Sequence, residues 1–223
     1  MFYEFEYQKY RIVLTSLEQK VADYYTEKVN THGNTHSGVD WNSKESQILR
    51  FNKLLHLIPA NHSQFSILDY GCGYGALVEL ISDQYKGFEY LGYDISDKML
   101  ETARQNFNEP HIQWTNSLNS NLKVDYLIAS GLFNVKLDFN PKRWRSYIID
   151  TLHKFNSIAT KGFSFNILSS YSDLEYQRND LYYANPEWFF SFCKQSFSPF
   201  VSLIHDYPLY EFTIVVKKST DQL

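Results

Sequence analysis

The chain has 223 residues, enough for one large domain, or one domain with a modest appendage, around a sizeable core. With 43% apolar and 17% aromatic residues it has ample surface to bury and is not disordered throughout. A net charge of −4 argues against a general nucleic-acid binder, which needs a basic face to replace phosphate counterions.

Two cysteines, Cys72 and Cys193, make no disulfide framework. The opening Met1-Phe2-Tyr3-Glu4-Phe5-Glu6 lacks the basic and apolar regions of a signal peptide. No run approaches the roughly 18 apolar residues of a membrane span. The expected setting is therefore the cytoplasm, with no membrane partner.

Residues 1–64 read as a helical cap. Phe5 to Val29 contains no Pro or Gly and spaces Tyr10, Leu14, Leu17, Val21 and Tyr25 along one helical face. Turn formers from Asn30 to Gly38 stop it. A second helix is predicted from about Ser43 through Leu57, with Ile48, Phe51, Leu54 and Leu55 inward and Pro59 ending it.

From Phe65 the rhythm changes to short apolar runs alternating with helical stretches, the pattern of a parallel sheet with crossover helices. The predicted strands are Phe65 to Tyr70, Tyr90 to Tyr93, His111 to Thr115, Val124 to Ser130 and Phe163 to Leu168. Helices are predicted at Ala76 to Gln84 and Asp97 to Phe107. A third opens at Asn140-Pro141, with a side-chain cap and Pro at its first position, and ends near Lys161-Gly162. Its basic start, Lys142-Arg143-Trp144-Arg145, reads as a solvated face. Residues 169–197 form an aromatic-rich insertion too long for a bare connection. Val201 to Tyr207 and Glu211 to Lys217 then read as an antiparallel pair around Pro208.

The motif that carries chemistry is Ile67-Leu68-Asp69-Tyr70-Gly71-Cys72-Gly73-Tyr74-Gly75. A strand ending in a glycine turn that opens a helix brings backbone N–H groups and a helix N-terminus close to a ligand. Gly71, Gly73 and Ala76 also satisfy a dinucleotide pattern, Gly-x-Gly-x-x-Ala. Context favours a nucleoside-sulfonium cofactor. Asp69, two residues before the first Gly, suits a cationic amino acid or sulfonium and repels a pyrophosphate. Asp94, after the second strand, can take both ribose hydroxyls in either class. The antiparallel ending leaves no room for a separate substrate domain.

These residues, with Tyr90-Leu91-Gly92-Tyr93-Asp94-Ile95-Ser96, Met99 to Arg104 and Val124 to Gly131, resemble the class I S-adenosylmethionine-dependent methyltransferases over residues 65–217. The resemblance implies a three-layer α-β-α sandwich whose seven-stranded, mostly parallel sheet ends in an antiparallel strand. It implies that Asp69, Tyr70, Gly71, Cys72, Gly73 and Gly75 hold the amino-acid end of S-adenosyl-L-methionine, and Asp94 its ribose. Ile95 and Met99 would pack on the adenine. The place often held by an acid that binds the adenine amine here reads Asn116-Ser117, and Ser130-Gly131 closes the fourth strand at the site.

The acceptor residues are expected in two lids. One is the N-terminal cap, with Trp41 and Arg50; the other lies in 169–197, with Tyr171, Asp173, Tyr182, Tyr183, Trp188 and Phe189. His205, expected on the sixth strand, is the candidate general base. His32 and His36 are separated by Gly33, which spoils a helical metal pair; no metal is expected. Motifs of DNA-amino, protein-arginine and Mg²⁺-dependent catechol methyltransferases are missing. The expectation is transfer to a small-molecule acceptor. A silent binding module of the same fold and an NAD-dependent oxidoreductase stand as alternatives.

Overall fold

The computed structural model describes residues 17, 19–21, 23, 24, 43–60 and 62–218. The first part of the cap, including His32, His36 and Trp41, lies outside the described residues. Of the long helix expected over Phe5 to Val29, the described residues are helical, and Leu17 and Val21 are buried.

The chain then alternates helix and strand: α1 Lys44–Leu55, β1 Phe65–Tyr70, α2 Leu77–Gln84, β2 Phe88–Tyr93, α3 Asp97–Asn106, β3 Ile112–Thr115, β4 Val124–Ala129, α4 Pro141–Ile158, β5 Ala159–Leu168, α5 Pro186–Ser196, β6 Phe200–Ile204 and β7 Glu211–Lys217. Caps explain the sharp starts. Ser43 accepts from Ser46 N–H, Ser96 from Met99 N–H, Asn140 from Lys142 N–H and Asn185 from Trp188 N–H. Pro141 and Pro186 follow their caps at positions where a missing N–H costs nothing.

The seven strands form one sheet in the order β3-β2-β1-β4-β5-β7-β6. β7 runs antiparallel to both β5 and β6; the other pairings are parallel. The expected seven-stranded sandwich is what forms. One apolar layer joins α1 and α2 to Ile67, Tyr90, Tyr126 and Ile128. The other joins α4 and α5 to Leu68, Leu127, Phe163, Phe165 and Phe212. Strand order reverses between β1 and β4, the switch point where open α/β sheets leave a crevice for ligands.

Several boundaries differ from the sequence reading. α4 stops at Ile158 and β5 starts at Ala159, so Gly162 lies inside the strand. Its glycine serves packing: a Cβ there would lie 2.4 Å from the Val216 carbonyl oxygen and 2.9 Å from Leu57 Cδ1. β6 ends at Ile204, whose pairing with Thr213 is the last of the ladder; His205 falls in the connection. Ile48 is an exposed residue of α1, not an inward one. Within the basic start of α4, Trp144 is fully buried and donates its indole N–H to the Phe133 carbonyl at 2.9 Å, while Lys142 and Arg143 are exposed.

Residues 169–185 do not arch over the strand ends as a free flap. They are zipped to the loop after β4: Lys136 and Leu137 N–H donate to Asp180 O, and Tyr182 N–H donates to Asn134 O. Backbone pairing of this kind fixes both segments at once.

Trp114 explains two glycines. It sits opposite Gly92 in the β2–β3 register, and its indole donates to the Phe107 carbonyl at 3.2 Å. A Cβ at Gly92 would meet its ring at 2.4 Å, and one at Gly75 would meet it at 2.5 Å. Gly92→Ala is therefore expected to cost about 1–3 kcal/mol of stability through overpacking. Urea denaturation checks this; an unchanged midpoint would show that the ring can move aside.

Candidate active site

β1 and β2 end side by side, with Asp69 paired to Gly92 and Tyr70 to Tyr93. Past those ends the chain turns through Gly71, Gly73 and Gly75, each with positive φ, a conformation open to glycine. Gly71 and Cys72 N–H both donate to Tyr93 O, at 2.8 and 3.0 Å. Gly73 N–H donates to Asp94 Oδ2 at 2.9 Å, and Ser96 N–H to Asp94 Oδ1 at 2.9 Å. The Asp94 carboxylate is thereby locked in plane. A carboxylate offers about four acceptor positions, so capacity is left for a ligand.

A cleft opens over this turn. Its floor holds Asp69, Gly71, Cys72, Gly73, Asp94 and, after β4, Ser130 and Gly131. Tyr70, Ile95 and Met99 also line it. So do Phe51, Tyr74, Tyr93 and Tyr147, giving aromatic walls.

The two acids set its electrostatics. Asp69 is buried in the middle of the sheet, and burial pushes its carboxyl up to about 7, even though Tyr90 donates to it at 2.7 Å; the nearby Asp94 adds to the rise. Burial also raises Asp94, against the lowering effect of the Ser96, Gly73 and Ile95 N–H groups. No described cation contributes to either shift. With Asp69 buried, Asp94 half-buried and no counter-ion to either among the described residues, the pair favours a ligand that brings positive charge and hydroxyl donors. A pyrophosphate would add charge of the wrong sign.

Of the residues singled out from sequence, the glycine turn, both acids, Tyr70, Ile95, Met99, Ser130 and Gly131 converge on the cleft. Gly75 belongs to the turn but faces Trp114. Asn116 and Ser117 are exposed and do not line the cleft; Asn116 donates to Asp97 Oδ1 at 2.8 Å.

The acceptor candidates among the described residues lie elsewhere. Arg50 is buried, with Nε 2.7 Å from Glu211 Oε1. Tyr171 is exposed and donates to Glu187; its neighbour His205 is exposed too, with ring centroids 6.1 Å apart. Tyr183 accepts from Arg178 N–H. Trp188 stacks on Phe192, beneath the Arg145 guanidinium. None of these residues, His205 included, lines the cleft.

The cleft contains residues that sequence reasoning passed over: Gln47, Phe51, Tyr74 and Tyr147. Gln47 and Phe51 are four apart on α1 and share a face; Gln47 accepts from the Tyr74 hydroxyl at 3.1 Å. Tyr74 sat in the motif as an unassigned position. Tyr147 carried no signal beyond an apolar helix face. Among the described residues no group of acidic, His and Cys side chains could hold a metal, and no helix is long and apolar enough to cross a membrane.

Comparison with known proteins agrees with this geometry. Residues 67–145 match the family model described as a methyltransferase domain. A Mycobacterium tuberculosis protein named as a methyltransferase, Rv1506c, is 42% identical over 157 residues, covering 70% of this chain and 95% of the relative. The fold is shared with the Burkholderia thailandensis 1,6-didemethyltoxoflavin-N1-methyltransferase, solved with 1,6-didemethyltoxoflavin and S-adenosylhomocysteine. That match has a TM-score of 0.59 at 16% identity and covers 91% of this chain and 90% of that one. It is also shared with the Synechocystis PCC 6803 magnesium protoporphyrin IX methyltransferase bearing S-adenosylmethionine, at a TM-score of 0.50 and 17% identity, covering 70% and 71%. The chain belongs to the class I S-adenosylmethionine-dependent methyltransferases.

Proposed function

We propose that the enzyme transfers the methyl group of S-adenosylmethionine to a small-molecule acceptor by in-line displacement. The observation that carries this reading is the cleft in which the glycine turn, two acids with no counter-ion among the described residues, and aromatic walls meet. The cofactor supplies an activated methyl on a sulfonium. The protein's part is placement, for which effective molarities near ~10⁵ M or more are available. Asp69 takes the amino-acid end and Asp94 the ribose, while Ile95 and Met99 give the adenine an apolar seat. Phe51, Tyr74 and Tyr147 exclude water and tolerate the cation beside their faces. A base is needed only where the acceptor must lose a proton, and among the described residues no His, Asp or Glu lines the cleft besides the two cofactor-facing acids. The Burkholderia thailandensis enzyme of this fold, solved with 1,6-didemethyltoxoflavin, supports the substrate class.

Incubation with methyl-labelled cofactor, a panel of small acceptors and cell extract tests the reading. Label is expected in the small-molecule fraction. Label confined to protein or nucleic acid would contradict it, and binding without any transfer would favour a silent module.

Asp69 gives the reaction a pH signature. Its carboxyl is raised, so the folded protein holds this proton more tightly than the unfolded chain does. The unliganded fold accordingly loses stability as pH climbs from the ordinary carboxylate range through about 7. A cationic ligand needs the ionised form. Affinity for S-adenosylmethionine is therefore expected to rise roughly tenfold per pH unit below about 7 and to level off above it. Calorimetric titrations from about pH 5.5 to about pH 8 check this. Asp69→Asn should bind weakly with a flattened profile, and an equally steep profile in that variant would assign the proton elsewhere.

A further inference from the structure

Three buried side chains that do not line the cleft connect two of its walls. Arg50 of α1 sets Nε 2.7 Å from Glu211 Oε1 at the start of β7. The same oxygen accepts from Asn166 Nδ2 of β5 at 2.9 Å. Asn166 Oδ1 then accepts from Gly131 N–H at 2.7 Å. Glu211 and Asn166 are wholly buried, and Arg50 nearly so.

The two ends of this chain matter to the ligand. Arg50 lies between Gln47 and Phe51, which bring α1 to the cleft, and Gly131 belongs to the turn that closes it after β4. Gly131 is held at φ +70, a conformation its own lack of a side chain permits but does not select. Its N–H is fixed by the Asn166 side-chain carbonyl. Burying ions here gains little over apolar packing, whereas the directional bonds from Asn166 to Glu211 and from Gly131 to Asn166, with the Arg50–Glu211 ion pair at their end, fix a distance that apolar contacts would leave loose.

We propose that Arg50, Glu211 and Asn166 form a brace setting the separation between the α1 wall and the Ser130–Gly131 turn, with Asn166 the positioning residue for ligand binding. This rests on the methyltransferase reading of the cleft. Asn166 touches no ligand position; it acts through Gly131.

Asn166→Leu keeps the volume and removes both bonds, whereas Glu211→Gln keeps the oxygen that Asn166 donates to and removes only the charge. Unfolding midpoint and affinity for S-adenosylhomocysteine are measured on each. Both variants are expected to lose stability and affinity, Asn166→Leu about tenfold or more and Glu211→Gln by less, because it loosens only the Arg50 end and keeps the Asn166–Gly131 bond. Equal affinities in both variants and wild type, or losses that simply track stability, would overturn the brace. Should Asn166→Leu not fold, wild-type protein labelled with ¹⁵N provides the second readout. The Asn166 side-chain amide signals are expected to shift on adding S-adenosylhomocysteine, and static signals would overturn the proposal. A wild-type protein that binds no S-adenosylhomocysteine would overturn the reading of the cleft itself, and this is seen before any variant is made.

Discussion

Replacing Arg50 with Met is expected to lower folding stability by about 3–5 kcal/mol, the scale for stranding one partner of a buried ion pair. Glu211 has no exposed surface, and its second oxygen, Oε2, has no hydrogen-bond partner among the described residues. Burial raises its carboxyl even with Arg50 beside it. Without the guanidinium, the carboxyl can escape its charge only by taking up a proton. A raised carboxyl makes the fold lose stability as pH rises, so the deficit of Arg50→Met should shrink toward acid pH. The double variant Arg50→Met/Glu211→Gln should recover most of the loss, because no stranded charge remains and the Asn166 amide keeps its acceptor. Urea titrations at two pH values measure all of this. A single-variant loss under about 1 kcal/mol, or a double variant worse than the single, would contradict the pairing described.

Asp94→Ala should weaken binding of S-adenosylmethionine and S-adenosylhomocysteine by about 1.5–3 kcal/mol, the range for losing a charged hydrogen-bond partner. Two effects combine. The ribose loses its acceptor, and the Gly73 and Ser96 N–H groups lose the carboxylate that holds the turn in place. Asp94→Asn should be intermediate, since an amide keeps one oxygen but turns an N–H₂ toward one of those two donors. Isothermal calorimetry reads both. Unchanged affinity in Asp94→Ala would mean that the ribose lies elsewhere.

The parts of this site that could be read from sequence are those fixed by local chemistry. β1 and the glycine turn announce themselves because a central strand must be apolar and the chain past it needs positive φ. β7 was legible at both ends, and Asn140-Pro141 marks a helix start through its cap. What stayed hidden depends on rotation and partner choice. Arg50 was expected near the ligand, but its place on α1 is about 100° round from Phe51, and that turn points it to Glu211 instead. Gln47 and Phe51 look like any helix face until α1 is docked. The aromatic run from Tyr171 to Trp188 has the composition of a pocket, yet its rings pair with Phe189, Phe192 and Tyr210 and with Glu187, Arg145 and His205. Gly75 reads as a ligand-facing glycine; only the position of Trp114 across the sheet reveals its other purpose.

The most direct test is equilibrium calorimetry of the wild-type protein with S-adenosylmethionine, S-adenosylhomocysteine and NAD. Saturable one-to-one binding of the first two is expected, with no heat from NAD, because the acids Asp69 and Asp94 accept a cationic ligand and refuse a pyrophosphate. Silence from both sulfur ligands at millimolar concentration, or tight binding of NAD, would contradict the assignment of the cleft.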